Sequence, residues 1–236
     1  MTNPKKEIRE YLNDLIKRLL FIKGLDRQLK IIKDWESANR VESLNIGAYF
    51  FRLVAYSFNR TILIELCKFF SDREEKSIID FLKKAREHSP SIEPAKLKPL
   101  SLKREKLKPE IYLVIIDKHE KLIASQKEVI NNLNNHRDKA LAHSDAKYFA
   151  DLEKLYEKFP LETKEIDELM EIATDILRNQ NNCLFEYGLD IIVDSSRGVN
   201  NVLQYVRAYK RILDDEDLNG ANFLKYKWDD YKKDKK

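Results

Sequence analysis

The chain has 236 residues, 43% hydrophobic and 36% charged, and its 44 Lys and Arg against 40 Asp and Glu leave a formal net charge of +4. Only 5 glycines and 6 prolines punctuate it, far below the share near 12% that these two make up in an average chain. So few turn residues exclude sandwiches, barrels and Gly-rich phosphate-loop folds, and the near-balanced charge does not call for a dedicated duplex-DNA binder.

In chain order, Asn3 before Pro4 opens the first helix, because Asn accepts from free amides and proline tolerates the first turn. Ile8, Leu12, Leu15, Ile16, Leu19 and Leu20 then share one helical face. Gly24 reads as a break, followed by a second stretch from Leu25 to Trp35. The charged N-terminal segment offers no apolar run of the kind a signal peptide needs. Ser43 or Asn45 is placed to cap a strongly apolar helix through Phe70, crowded with Tyr49, Phe50, Leu53, Tyr56, Ile64 and Phe69. Such a composition predicts a central buried helix. Arg52, Asn59, Arg60, Glu65 and Lys68 interrupt the run, so it is no membrane span. Cys67 within it reads as a buried free thiol, and with Cys183 it makes neither a metal pair nor a disulfide framework. A soluble, cytoplasmic protein is expected. Ser77 to His88 follows as a short amphipathic segment.

Residues 89–109 hold Pro90, Pro94, Pro99 and Pro109, four of the 6 prolines, which block continuous helix. This is a connecting loop, made basic by Lys96, Lys98, Lys103, Arg104, Lys106 and Lys108: either a solvated connection or a strap for a polyanion. A long helix is predicted from Glu110 to about Ala142. After it come a short helix around Tyr148 to Lys158 ended by Pro160, another from Thr163 to about Tyr187 closed by Gly188, and a last one capped by Asp194 or Ser195 and running through Leu213. The charged end, KYKWDDYKKDKK, is expected to fray. The whole reads as a single all-α domain over residues 1–236.

The long helix carries the most informative pattern. Its apolar residues come in adjacent pairs seven apart: Ile115 with Ile116, Leu122 with Ile123, Val129 with Ile130. Seven residues advance a helix by almost two turns, so the pairs stack into one stripe facing a core or another helix. The next pairs by the same count are His136 with Arg137 and His143 with Ser144, so the stripe becomes cationic and titratable. An inward arginine is costly unless an anion meets it. That anion is either internal, with Asp138 adjacent and Glu65 on another helix, or a bound phosphate, which suits the forked guanidinium. His143 can move a proton near neutral pH. Six residues turn an α-helix by about 600°, which sets Arg137 and His143 roughly 120° apart and about 9 Å along the axis, on the two edges of the stripe. His136 sits almost directly above His143, with Lys139 between them.

The segment from Asn134 to Asp145, NNHRDKALAHSD, resembles the signature of the HEPN superfamily: an arginine, a polar residue, and a histidine after four to six intervening positions. Arg137, Asp138 and His143 fill those places, and the surrounding HRDKALAHSD is similar to the AbiU type of abortive-infection, or phage-exclusion, proteins. The resemblance spans roughly residues 40–190. It implies a HEPN-like antiparallel helical bundle with extra N- and C-terminal helices, and a homodimer that brings two motifs to a shared cleft. It also implies metal-independent endoribonuclease activity of the toxin and antiphage kind, with RNA as substrate, no cofactor, and an antitoxin or regulatory protein as a further partner.

On that resemblance Arg137 stabilises the charged phosphorane as the ribose 2′-OH attacks, His143 moves the proton and Asp138 orients Arg137 or the histidine, while His136, Lys139 and Asn134 contact the substrate. In toxins of this family paired with a nucleotidyltransferase, a modifiable tyrosine lies two residues after the histidine. Asp145 stands there in this chain and the next tyrosine is Tyr148, which speaks against that control. The alternatives are a non-catalytic HEPN module binding RNA, a nucleotide or a protein partner, and a structural scaffold with Arg137 in an internal ion pair.

Overall fold

A computed structural model describes residues 4–36, 41–89, 108–141, 153–185, 191, 193 and 198–214. All regular structure among them is helical: α1 (Pro4–Trp35), α2 (Val41–Asn45), α3 (Ala48–Phe69), α4 (Ile78–His88), α5 (Pro109–Ser125), α6 (Lys127–His136), a π-helical turn (Arg137–Leu141), α7 (Glu153–Lys158), α8 (Thr163–Leu184) and α9 (Val199–Asp214). The expected all-α bundle is thus what forms. No helix among the described residues is long and apolar enough to cross a membrane.

The chain divides into two compact units, residues 1–25 with 59–193, and residues 26–58 with 194–236. In the first, α1 contributes Ile8, Leu12, Leu15, Leu19 and Ile22, α4 contributes Ile78, Phe81 and Leu82, and α8 contributes Leu169, Ala173, Ile176 and Leu177, all buried. Ser77 caps α4 as its position suggests, its side chain accepting from the Asp80 N–H at 3.1 Å. Glu162 and Glu165 form a reciprocal capping box that starts α8. Between α5 and α8 runs a buried polar chain. Tyr112 Oη donates to Gln180 Oε1 at 2.7 Å, and Gln180 Nε2 lies 3.0 Å from His119 Nδ1. With the amide nitrogen donating, His119 keeps its proton on Nε2.

In the second unit, Ile31, Ile32, Trp35, Leu44, Phe51 and Leu203 form a core against which Val54, Ala55, Phe58 and Val199 pack. Gln28 Oε1 accepts from the Val199 N–H at 2.7 Å, and Trp35 Nε1 donates to Asn200 Oδ1 at 3.1 Å, so two side chains of α1 hold the first turn of α9.

Four expectations are corrected. Gly24 does not break α1, which runs continuously through it; one glycine costs a helix only about 1 kcal/mol. The apolar helix expected from Ser43 or Asn45 begins instead at Ala48, because α2 ends at Asn45 and Gly47 turns the chain, its N–H on the Leu44 carbonyl at 3.1 Å. Nor is its first half buried: Tyr49, Phe50, Leu53 and Tyr56 all lie open. The long helix from Glu110 is interrupted at Gln126, whose N–H reaches back only to Ile123 and Ala124 before α6 resumes, and α6 then yields to the π turn. The basic loop over residues 90–107, His143 to Ser144, Tyr148, Tyr187, Gly188, Asp194, Ser195 and the charged end lie outside the described residues.

Candidate functional site

The motif residues sit where α6 gives way to the π turn. An α-helix closes each bond over four residues and a π turn over five, a geometry that is rare and gathers at functional sites. Here it covers Arg137–Leu141, so the pitch changes on the arginine itself. The Arg137 N–H is shared between the carbonyls of Leu133 and Asn134. The Leu133 carbonyl also accepts from Cys67 Sγ at 3.2 Å, so a thiol on α3 props the backbone at this junction. Cys67 is buried as the sequence suggests, and burial pushes its pKa up to about 12, which keeps it a neutral donor.

Arg137 Nε donates to Asp138 Oδ1 at 2.8 Å. Their side chains are 19% and 49% exposed, so this is a pair at the surface rather than one locked in the interior. Glu65, the other carboxylate considered from sequence, is taken by Arg18 at 3.4 Å and Lys68 at 2.9 Å. The Asp138 hydrogen bond holds the guanidinium pKa above its ordinary value, so the cation is permanent. Because the pair uses Nε, the two terminal nitrogens remain, and they form the fork that suits a phosphate. Among the described residues no other hydrogen bond occupies them.

The inward position of the stripe changes hands at this point. Ile116, Ile123 and Ile130 are the buried members of their pairs, each second in sequence; in the next pair it is the first, His136, that is buried. His136 is 2% exposed, its Nε2 lies 2.7 Å from the Phe159 carbonyl, and its ring centroid is 4.5 Å from that of Tyr156. Since a carbonyl only accepts, Nε2 carries the proton. Desolvation lowers the His136 pKa while the bond to Phe159 opposes the shift, so the ring enters the core neutral and paired. An imidazole can shed its charge and an arginine cannot, which is why the histidine takes the inward place.

Lys139 Nζ lies 5.9 Å and Lys158 Nζ 5.4 Å from the centroid of the Phe159 ring, two cations on the segment that carries Arg137 and the one packed against it. Asn132 Nδ2 donates to the Pro160 carbonyl at 2.9 Å, a second tie between α6 and the chain after α7. Asn134 Oδ1 is buried and has no hydrogen-bond partner among the described residues. The structure therefore collects Asn134, His136, Arg137, Asp138 and Lys139 on about one and a half turns. His143 lies outside the described residues, and the α-helical projection between it and Arg137 does not carry through a turn of π pitch. Cys67 and Phe159, the residues that hold the junction, are 66 and 23 positions from their partners, and no spacing in the sequence announces them. No group of three or more His, Cys, Asp and Glu gathers as metal ligands among the described residues.

The family model for AbiU2, of the HEPN class, matches residues 5–212, wider than the stretch that carries the motif and its neighbouring helices. No curated protein and no solved structure matches the chain.

Proposed function

Because the chain belongs to the HEPN AbiU2 family, we propose that it is an abortive-infection effector that cleaves RNA without a metal, using Arg137 and His143. The observation that carries this reading is the Arg137–Asp138 pair: the carboxylate fixes Nε at 2.8 Å and leaves the terminal fork for a phosphate. In the proposed reaction the ribose 2′-OH attacks the adjacent phosphorus and the bond to the 5′ oxygen breaks. The products are a 2′,3′-cyclic phosphate and a 5′-hydroxyl. His143 takes the 2′-OH proton or supplies one to the leaving oxygen, and Arg137 stabilises the charge on the phosphorane. Lys139 and Lys158 add positive charge along the strand. Asn134 is assigned a substrate contact through its unpaired Oδ1, whereas His136, with Nε2 committed to Phe159, serves by holding the segment in place.

The test is cleavage of single-stranded RNA or tRNA in EDTA by the purified protein, with Arg137→Ala and His143→Ala alongside. Loss of cleavage in both variants with helicity unchanged supports the assignment. Robust cleavage by the double variant refutes it. RNA binding without cleavage by the parent chain would mark a non-catalytic HEPN module. Growth arrest on expression, relieved by His143→Ala, extends the test into the cell without knowledge of the RNA target.

A further inference from the structure

Tyr156 stands beside the motif with much of its ring in solvent. Its centroid lies 4.5 Å from that of buried His136, at 57° to it, and the residue is still 43% exposed. Leu155 is buried beneath α7, and the Phe159 N–H meets the Leu155 carbonyl at 2.9 Å, so the tyrosine sits on a packed turn of helix. Phe159 follows three residues later, on the same side of that turn, with the Lys139 and Lys158 ammonium groups over its ring. His136 and Arg137 are consecutive, their Cα atoms about 3.8 Å apart, and their side chains emerge about a quarter turn from each other. A phosphate in the Arg137 fork therefore has the Tyr156 ring about one side chain away, much as a nucleotide's own base stands from its phosphate.

We propose that Tyr156 is the platform on which a nucleobase beside the Arg137-bound phosphate stacks, which makes it a recognition residue for single-stranded RNA. The inference rests on the reading of Arg137 given above. Bases of a single strand stack on aromatic side chains, whereas a base inside a duplex already has both faces covered. Lys139 and Lys158 place positive charge next to the platform, where the strand's backbone would run. The two carboxylates nearest to it do not oppose this. Asp138 is held by Arg137, and exposed Glu157 leaves α7 on the other side of Tyr156 from Phe159.

The test uses a short oligouridylate, 2′-O-methylated so that it cannot be cleaved by its own 2′-OH, with 2-aminopurine at its centre, a base whose fluorescence stacking quenches. The full chain should quench it on binding. Tyr156→Leu should abolish the quench and weaken binding at least about fivefold, whereas Tyr156→Phe should keep the quench and bind within about twofold of the parent. Salt separates stacking from charge: Lys158→Gln should lower the slope of log Kd against log salt by about 0.7, and Tyr156→Leu should leave it unchanged. Should Tyr156→Leu lose helicity, irradiation of the parent with a 5-iodouridine strand reads the platform directly, and the cross-linked peptide should contain Tyr156. A cross-link confined to other peptides overturns the proposal, as does a quench that folded Tyr156→Leu leaves intact. Arg137-dependent cleavage in EDTA alongside either result would place the failure in the platform rather than in the reaction. A parent that binds no single strand overturns both.

Discussion

Asp138 holds Arg137 by the nitrogen nearest its stem, at 2.8 Å, and both residues lie in the single π turn of the described chain. The carboxylate therefore aims the guanidinium without filling its fork. Asp138→Asn keeps an acceptor in place but drops the charge, and a loss of about tenfold in single-turnover RNA cleavage is expected. Arg137→Lys keeps a charge but has no fork, and should cost on the order of 10²- to 10³-fold. Equal losses in the two variants would mean that Asp138 does more than aim.

Replacing His136 should separate stability from chemistry. His136→Ala strands the Phe159 carbonyl and leaves a gap beside Tyr156, for an expected loss of about 2–3 kcal/mol in urea unfolding. The acid limb of the pH–rate profile for RNA cleavage should stay where it is. A shift of that limb would place His136 in the reaction itself.

His119 makes stability depend on acid. Burial pushes its pKa down to about 4, against about 6.5 in the unfolded chain. Between those values the unfolded state binds more protons, so stability is full above pH 6.5 and falls as the pH drops toward 4, by about 3 kcal/mol at most. His136 is shifted in the same direction by desolvation and adds to the effect. Urea midpoints measured from pH 7 to pH 4 should fall, and His119→Gln should flatten much of the slope. A profile that is already flat in the parent would show that the Gln180 contact does not hold the ring neutral.

Gly198 is the one described glycine at which a Cβ would collide, and what it meets is the carboxamide of Gln28. That carboxamide caps the Val199 N–H. Gly198→Ala should thus displace a flexible side chain rather than backbone, and the loss is the cap, about 1 kcal/mol. Thermal unfolding should show a matching drop, and Gln28→Ala should show nearly the same one. If the two losses add in the double variant, they do not act through a shared bond.

The helical class was legible from 5 glycines and 6 prolines, and the family from the Arg137, Asp138 and His143 signature. Both depend on local composition and short spacing. The break at Gln126 was not legible, since glutamine is an ordinary helix former and nothing beside it punctuates the chain. The π turn escaped for the same reason, and with it the exchange of Arg137 for His136 at the inward position. What decides that exchange is the Phe159 carbonyl, a tertiary partner that periodicity does not contain. The apolar sequence of α3 predicted a buried helix, but among the described residues only one side of its first half is packed.

The π turn also bears on how the motif tolerates changes in length. Such a turn holds one more residue than α-helical closure requires, so the segment Arg137–Leu141 already carries a surplus residue. Deleting Lys139 or Ala140 would let the helix close with ordinary α pitch and survive as a helix. Five residues at π closure turn the chain about as far as four at α closure, so Leu141 would keep nearly its orientation relative to Arg137 after such a deletion. A single-residue deletion within this turn should therefore be tolerated better than one within α5, which would rotate everything downstream by about 100°.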